Sequence, residues 1–105
     1  MDFSERVLRI TARIPTGRVS TYRELAKALG GIKFSRAVGT ALNRNPDPVK
    51  VPCHRVVRAD GRVGGYSRGV AEKIRLLVKE GISVEDGRVC DLRDKLLTAA
   101  QLRRL

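Results

Sequence analysis

The chain predicts a helix-rich α+β domain, a single winged helix-turn-helix with a short hairpin. Three observations carry that prediction. Two short apolar-periodic stretches, around Leu25 and around Val38, are joined by Gly30-Gly31. Asp60-Gly61 and Asp86-Gly87 mark tight turns flanked by valines. Helical periodicity returns after each turn segment, so helices stand before and after the hairpins. At 105 residues there is room for one domain. That is enough to bury a core without staples, because domains of about 60 residues fold alone. Tryptophan is absent and aromatics make up 4%, so the core must be aliphatic.

The first helix is expected from near Ser4, with Asp2, Ser4 and Glu5 offering capping groups and Val7, Ile10 and Ile14 at helical spacing. Pro15-Thr16-Gly17 stops it. Val19 allows a short strand. Thr21-Tyr22-Arg23-Glu24 then reads as a capping box opening a second helix that ends at Gly30-Gly31. A third helix is expected from Phe34 or Ser35 to Asn43, with Val38, Ala41 and Leu42 as its apolar face. Gly39 lowers its helix propensity by about 1 kcal/mol relative to alanine, which close approach of another surface would explain. Asn45-Pro46-Asp47-Pro48 is a rigid loop. The valines of 49–57 favour a strand broken at Pro52, with Asp60-Gly61 as its turn and Val63 on the return. After the glycine-rich loop 64–69, a fourth helix runs from Val70 to Glu80, with Val70, Ile74, Leu77 and Val78 inside and Gly81 past its end. A last helix is expected from about Asp91 to Leu105.

Composition narrows the function. Lys plus Arg is 22 and Asp plus Glu 11, so the net charge is 22 − 11 = +11. The basic residues are spread along the whole chain, so the charge belongs to a folded body, and a folded cationic body points to nucleic acid because neutralising phosphates releases counterions. The other reading of the charge is a solubilising surface. One histidine and two separated cysteines exclude a structural zinc site, which takes about four such ligands. No run approaches the roughly 20 apolar residues of a membrane span. The N-terminus lacks the layout of a signal peptide. An intracellular, cytoplasmic protein with reduced cysteines is expected. Arginine outnumbers lysine 16 to 6, and Asn43, Asn45 and Gln101 are the only side-chain amides, a pattern that fits a thermophile.

Pro52-Cys53-His54-Arg55 is where chemistry is expected. The chain's single histidine sits beside one of its two cysteines. A neighbouring His, Arg or helix N-terminus can populate the thiolate nucleophile. Adjacent strand residues point to opposite faces, so contact between Cys53 and His54 requires the turn that Pro52 suggests. The structural alternative is a buried cysteine beside a surface histidine.

Val51-Pro52-Cys53-His54-Arg55-Val56-Val57 resembles the active-site motif of the O6-alkylguanine-DNA alkyltransferases, the methylated-DNA–protein-cysteine methyltransferases. Ile14-Pro15-Thr16-Gly17-Arg18-Val19-Ser20-Thr21-Tyr22 resembles that family's entry to its helix pair, Ser35-Arg36-Ala37-Val38-Gly39 its recognition helix, and Asn45-Pro46 its hinge. Gly64-Gly65-Tyr66-Ser67 and Leu76-Leu77-Val78-Lys79-Glu80-Gly81 complete the set in the family's order. The resemblance covers nearly all of residues 1–105, as that family's C-terminal catalytic and DNA-binding domain.

The resemblance implies direct, irreversible transfer of an alkyl group from guanine O6 in double-stranded DNA to Cys53, one lesion per molecule, without cofactor or metal, by a monomer. Cys53 is the implied nucleophile, His54 its base through a bridging water, Glu80 the orienter of His54, and Tyr22 the proton or hydrogen-bond donor to the leaving guanine. Arg36 is expected to enter the base stack in place of the flipped nucleotide, with Ala37, Gly39 and Thr40 against the minor groove. Asn45, Val56, Tyr66, Ser67 and Arg68 are expected to line the base pocket, Val56 through its backbone. Arg68 stands where some members have a small residue, which implies a narrower pocket and preference for methyl over bulky adducts. Leu8 stands where the family often has tryptophan. Most members carry a further N-terminal domain, and this chain is expected to start at the catalytic one. Read without the resemblance, Tyr22 is a core aromatic, Arg36 a phosphate contact, Glu80 a helix-end carboxylate, and Cys90 packs near the second hairpin. The rival functions are an alkyltransferase-like lesion sensor (such proteins typically lack the cysteine), a winged-helix transcription regulator, and a cysteine hydrolase.

Overall fold

A computed structural model describes all 105 residues. Helix α1 spans Phe3–Thr11, capped by Asp2, whose carboxylate accepts from the Glu5 N–H at 2.8 Å. It ends before Ile14, because the chain tightens into three-residue turns (Arg13 N–H to Ile10 O, Ile14 N–H to Thr11 O) that still bury Ile14. Strand β1 is Ser20–Thr21, and Val19 just before it bridges to Leu96. Helix α2 spans Tyr22–Ala28. Its expected capping box forms only by half: Thr21 Oγ1 accepts from the Glu24 N–H, but Glu24 turns its carboxylate to the Ala99 N–H at 2.9 Å. Glu24 thereby ties α2 to the C-terminal helix. A single 3-10 turn, Ile32–Phe34, then leads into α3, Ser35–Asn43, as expected, with Val38, Ala41 and Leu42 buried.

Past the proline loop, a second 3-10 turn covers Cys53–Arg55, and strand β2 is Val56–Val57. The expected hairpin between this strand and Val63 does not form. The turn itself exists, with Arg58 N–H donating to Arg62 O, but β2 pairs in parallel with β1 (Ser20 with Val56, Thr21 with Val57). Val63 pairs onward instead, donating to Gly87 O of the second hairpin. That hairpin, β3 (Val84–Glu85) against β4 (Arg88–Val89), is the expected one. Helix α4 spans Val70–Lys79, with Glu80 at its C-cap and Gly81 in the left-handed conformation (φ +90°) that closes a helix end.

The inner face of α4 departs from expectation. Val70 and Val78 are exposed, at 46% and 54%, whereas Lys73 is fully buried. The last helix is broken in two: α5 (Leu92–Lys95) and α6 (Ala99–Arg104) are separated by an extended Leu96-Leu97, which lies beside Val19 and Ser20. Thr98 opens α6 with a complete capping box to Gln101. Val19 N–H donates to Lys95 O and Leu97 N–H to Val19 O, pairs that a continuous helix would have withheld.

Two apolar clusters share these elements. One joins α1, α2, α3 and α6 through Val7, Ile10, Leu25, Val38 and Leu102. The other joins α4 to the hairpin through Val63, Leu77, Ile82 and Val89. Strand alternation divides β2 between them, with Val56 in the first and Val57 in the second. Cys53 and its turn therefore sit at the seam of two cores, which fixes their position from both sides.

Candidate active site and nucleic-acid interface

The loop before the cysteine is braced by its own polar side chains. Asn45 donates through Nδ2 to Val51 O at 2.9 Å and accepts from the Asp47 N–H, while Asp47 accepts from the amides of Val49 and Lys50. Pro52 is buried, and the Cys53 N–H donates to Val51 O at 2.8 Å, so the chain turns sharply into the 3-10 segment. The turn that Pro52 suggested is therefore present, and Cys53 and His54 are both buried, at 7% and 5% exposure. The alternative of a surface histidine is thereby set aside.

His54 Nε2 lies 3.0 Å from Glu80 Oε2. An ionised carboxylate only accepts, so Nε2 carries the proton and Nδ1 presents a lone pair in the neutral ring. Nδ1 is buried and makes no hydrogen bond within the protein. Burial also holds the imidazole below its ordinary value of 6.5, against the opposing pull of Glu80. A neutral histidine with a free, buried lone pair is a base awaiting a proton. Glu80 is itself gripped by Arg55, with Nε donating to Oε1 at 2.9 Å and Nη2 to Oε2 at 2.8 Å. Burial pushes the Glu80 carboxyl up, but the hydrogen bonds and charges of Arg55 and His54 outweigh it and leave the group below its usual range. Arg55 reaches further, to Ile14 O at 2.7 Å and Thr16 Oγ1 at 2.9 Å, and so clamps the end of α4 to the segment after α1. Sequence reasoning gave Arg55 no role, because a fork of bonds to residues 41 and 25 positions away is invisible in the order of the chain.

A cavity of about 420 Å³ opens beside this relay, within the size range of small-ligand sites. Cys53, Tyr22, Tyr66 and Ser67 form one part of its wall; Arg36, Gly39 and Thr40 of α3 form another. Tyr22 is the first residue of α2, aimed by its Thr21 cap. Burial, and secondarily the neighbouring Cys53, raises its phenol above the ordinary 10, so it keeps its proton. Gly64 lets the loop pass this closely. At φ +76° a Cβ there would stand 3.5 Å from the Tyr22 hydroxyl and 3.3 Å from Arg58 Cγ.

Three expected pocket residues lie elsewhere. The Asn45 side chain is engaged in the loop brace, Arg68 is exposed, and Val56 is wholly buried in the core with its carbonyl taken by Lys73; none lines the cavity. Arg68 stays off the cavity wall, but its charge reaches the wall residue Tyr66. Ala37 is exposed on α3 outside the cavity wall. Cys90 is exposed near the second hairpin, away from Cys53's cavity. Leu8 packs half-buried against the first cluster.

Lys73 is a second residue the sequence reading missed. Its Nζ donates to Val56 O at 2.7 Å and Gly65 O at 3.1 Å, and lies 5.8 Å from the centre of the Tyr22 ring. It thereby staples the strand after Cys53 to the loop that carries Tyr66. Lys73, Leu77 and Glu80 recur at i, i+4 and i+7, one face of α4, so a lysine within an apolar stripe was the available signal. Burial lowers its ammonium to about 8, against an upward push from Cys53. The native state therefore releases this proton at lower pH than the unfolded chain, whose lysine titrates near 10.5. The unfolded chain binds more protons between those values, so stability is expected to rise with pH across about 8 to 10.5. The full difference is about 3 kcal/mol. Lys73→Met removes it, so urea unfolding at pH 7.5 and pH 10 should show wild type gaining on the variant; a gap independent of pH contradicts this.

Gly39 is open on the outer face of α3, where an added Cβ meets nothing within 4 Å. Gly39→Ala is expected to raise stability by up to about 1 kcal/mol through helix propensity. Gly39→Leu is expected to keep the fold yet weaken duplex binding at least tenfold; unchanged anisotropy titrations would show that this face does not meet DNA.

The chain contains no group of three or more His, Cys, Asp or Glu placed to hold a metal ion, and no helix is long and apolar enough to cross a membrane.

Comparison with known proteins places this geometry. The model of the DNA-binding domain of 6-O-methylguanine DNA methyltransferase matches residues 2–82. A methylated-DNA–protein-cysteine methyltransferase of Methanothermobacter thermautotrophicus is 48% identical over 84 residues, covering 80% of this chain and 47% of the relative. A bifunctional methyltransferase/endonuclease of Picrophilus torridus is 44% identical over 89 residues, covering 85% of this chain and 30% of the relative. The chain thus spans less than half the length of these two relatives. Among solved structures, Mycobacterium tuberculosis OGT in complex with DNA superposes with a TM-score of 0.74 at 41% identity, over 77% of this chain and 49% of that one. S. pombe Atl1, in complex with damaged DNA containing O6-carboxymethylguanine, superposes with a TM-score of 0.81 at 28% identity, over 91% of this chain and 94% of that one. By the match over residues 2–82 and the shared fold, the chain belongs to the 6-O-methylguanine DNA methyltransferase DNA-binding-domain family.

Proposed function

We propose that the protein repairs double-stranded DNA by moving an alkyl group from O6 of a flipped guanine to Cys53. The observation that carries this is a buried thiol and a protonated tyrosine on the wall of one cavity, with a histidine held in its basic tautomer by Glu80 next to the thiol in the chain. His54 Nδ1 takes the Cys53 proton across one bridging water. The thiolate attacks the alkyl carbon, a C–S bond forms, and the C–O bond breaks. Tyr22 gives a proton or hydrogen bond to the departing guanine and is restored from His54. Arg36, at the start of α3 and on the cavity wall, fills the stack vacated by the base. Ala37, Gly39 and Thr40 face the minor groove, where little sequence is read, as a lesion search requires. Tyr66 and Ser67 flank the base. Asn45 and Val56 act on the site indirectly, through the brace to Val51 and through the carbonyl held by Lys73.

The protein works inside the cell as a monomer. It spends itself in one event, because a thioether has no facile hydrolysis route and the cavity holds no group to reverse the bond. Excess O6-methylguanine duplex is therefore expected to give a plateau of one methyl group transferred per protein; continued turnover contradicts the reading. The likeness to S. pombe Atl1 keeps a lesion-sensing reading in view. Cys53, lining the cavity beside the base relay, favours transfer over sensing.

A further inference from the structure

A second cationic feature lies away from the cavity. Arg6, Arg9 and Arg13 line one flank of α1 and the turn beyond it, and with Arg103 of α6 they surround a groove of about 250 Å³ floored by Ile10 and Leu29. None of the four guanidinium groups lies within 4.0 Å of a carboxylate. Arg103 is fixed in place, its Nη2 donating to Lys27 O at 2.8 Å at the carbonyl end of α2. Four unpaired like charges around one groove repel each other unless an anion lies among them. No residue lines both this groove and the cavity of Cys53, and the buried layer of Val7, Ile10, Val38 and Ala41 stands between the α1 arginines and the outer face of α3.

We infer that this groove binds the phosphodiester backbone of a second DNA segment, separate from the duplex engaged at the cavity. Arg6 and Arg9 stand about 4.5 Å apart along the axis of α1, and Arg13 follows in the turn beyond it. A row of this kind suits successive phosphates of one strand, which advance by roughly 3.4 Å of duplex axis each. Guanidinium groups suit phosphate because they donate in pairs. One stiff duplex cannot serve both faces, because its persistence length of about 150 bp resists wrapping a body of 35 × 26 × 22 Å. The protein therefore holds two segments at once. This property is independent of the transfer chemistry.

The test uses two short duplexes carrying a donor and an acceptor dye, one of them bearing O6-methylguanine. Wild-type protein is expected to bring them together, giving energy transfer that falls with salt. Arg6→Glu, Arg9→Glu and Arg13→Glu combined should reduce that transfer at least tenfold, while methylation of Cys53 by the single short duplex stays within twofold. A charge-matched control, Lys79→Glu with Arg88→Glu and Arg93→Glu, should still bridge. If the reversals unfold α1, the three glutamine replacements should give the same ordering. The inference is overturned if wild type does not bridge, if the control loses bridging equally so that net charge alone is responsible, or if the α1 variant bridges as well as wild type. The last result would leave the groove to an acidic protein segment. Methyl transfer is read in parallel, so its absence in wild type counts against the repair reading alone.

Discussion

Cys53→Ala is expected to abolish alkyl transfer while the variant still binds duplex carrying O6-methylguanine. The cavity loses only a sulfur, and the rest of its wall, from Tyr22 and Tyr66 to Arg36 on α3, comes from other elements. Removing one small buried group at the seam of the two cores costs about 1 kcal/mol, too little to unfold the domain. No other thiol reaches the cavity, because Cys90 is exposed elsewhere. Single-turnover transfer and anisotropy binding, measured side by side, check this. Residual transfer in the variant would move the acceptor to another cavity residue such as Ser67. Loss of binding as well would mean that the sulfur organises the site rather than reacting in it.

Arg55→Met is expected to have the largest effect on stability. It leaves the Glu80 carboxylate, whose side chain is 14% exposed, with His54 as its remaining side-chain partner, and it strips a donor from Ile14 O. Breaking a buried ion pair costs about 3–5 kcal/mol, and the residual exposure here reduces that to about 2–4. Transfer should also slow, by roughly 10- to 100-fold, because Glu80 no longer holds His54 in place. Arg55→Lys should recover only part of the stability, since an ammonium cannot bond both carboxylate oxygens through a planar fork. Urea unfolding together with single-turnover rates tests both effects. A Met variant as stable as wild type would mean that the clamp seen around Glu80 contributes nothing.

Local signals in the chain were legible where local physics decided the outcome. The limits of α3, the Asp86-Gly87 hairpin and the glycine ending α4 follow from apolar spacing and from turn residues with positive φ. The reading failed where distant pairing decided. Val63 reads as the return strand of the nearest turn, yet it pairs with the second hairpin because β2 is already taken by β1. The break at Leu96-Leu97 interrupts a good helical pattern, and the backbone of Val19 with the hydroxyl of Ser20 supplies the reason. The site divides in the same way. Cys53, His54, Glu80, Tyr22 and Arg36 were named from motif and resemblance; the fold pairs His54 with Glu80 and sets Cys53, Tyr22 and Arg36 on the wall of one cavity. Lys73 and Arg55 act through carbonyls and a carboxylate far away in sequence, and Asn45 proved to be a brace rather than a wall.

The most direct test of the account is intact-mass measurement with peptide mapping after wild-type protein meets a duplex holding a single O6-methylguanine. The account predicts a gain of one methyl group, confined to the peptide containing Cys53, together with unmodified guanine in the recovered DNA. Protein of unchanged mass bound to DNA that still carries its lesion would contradict it.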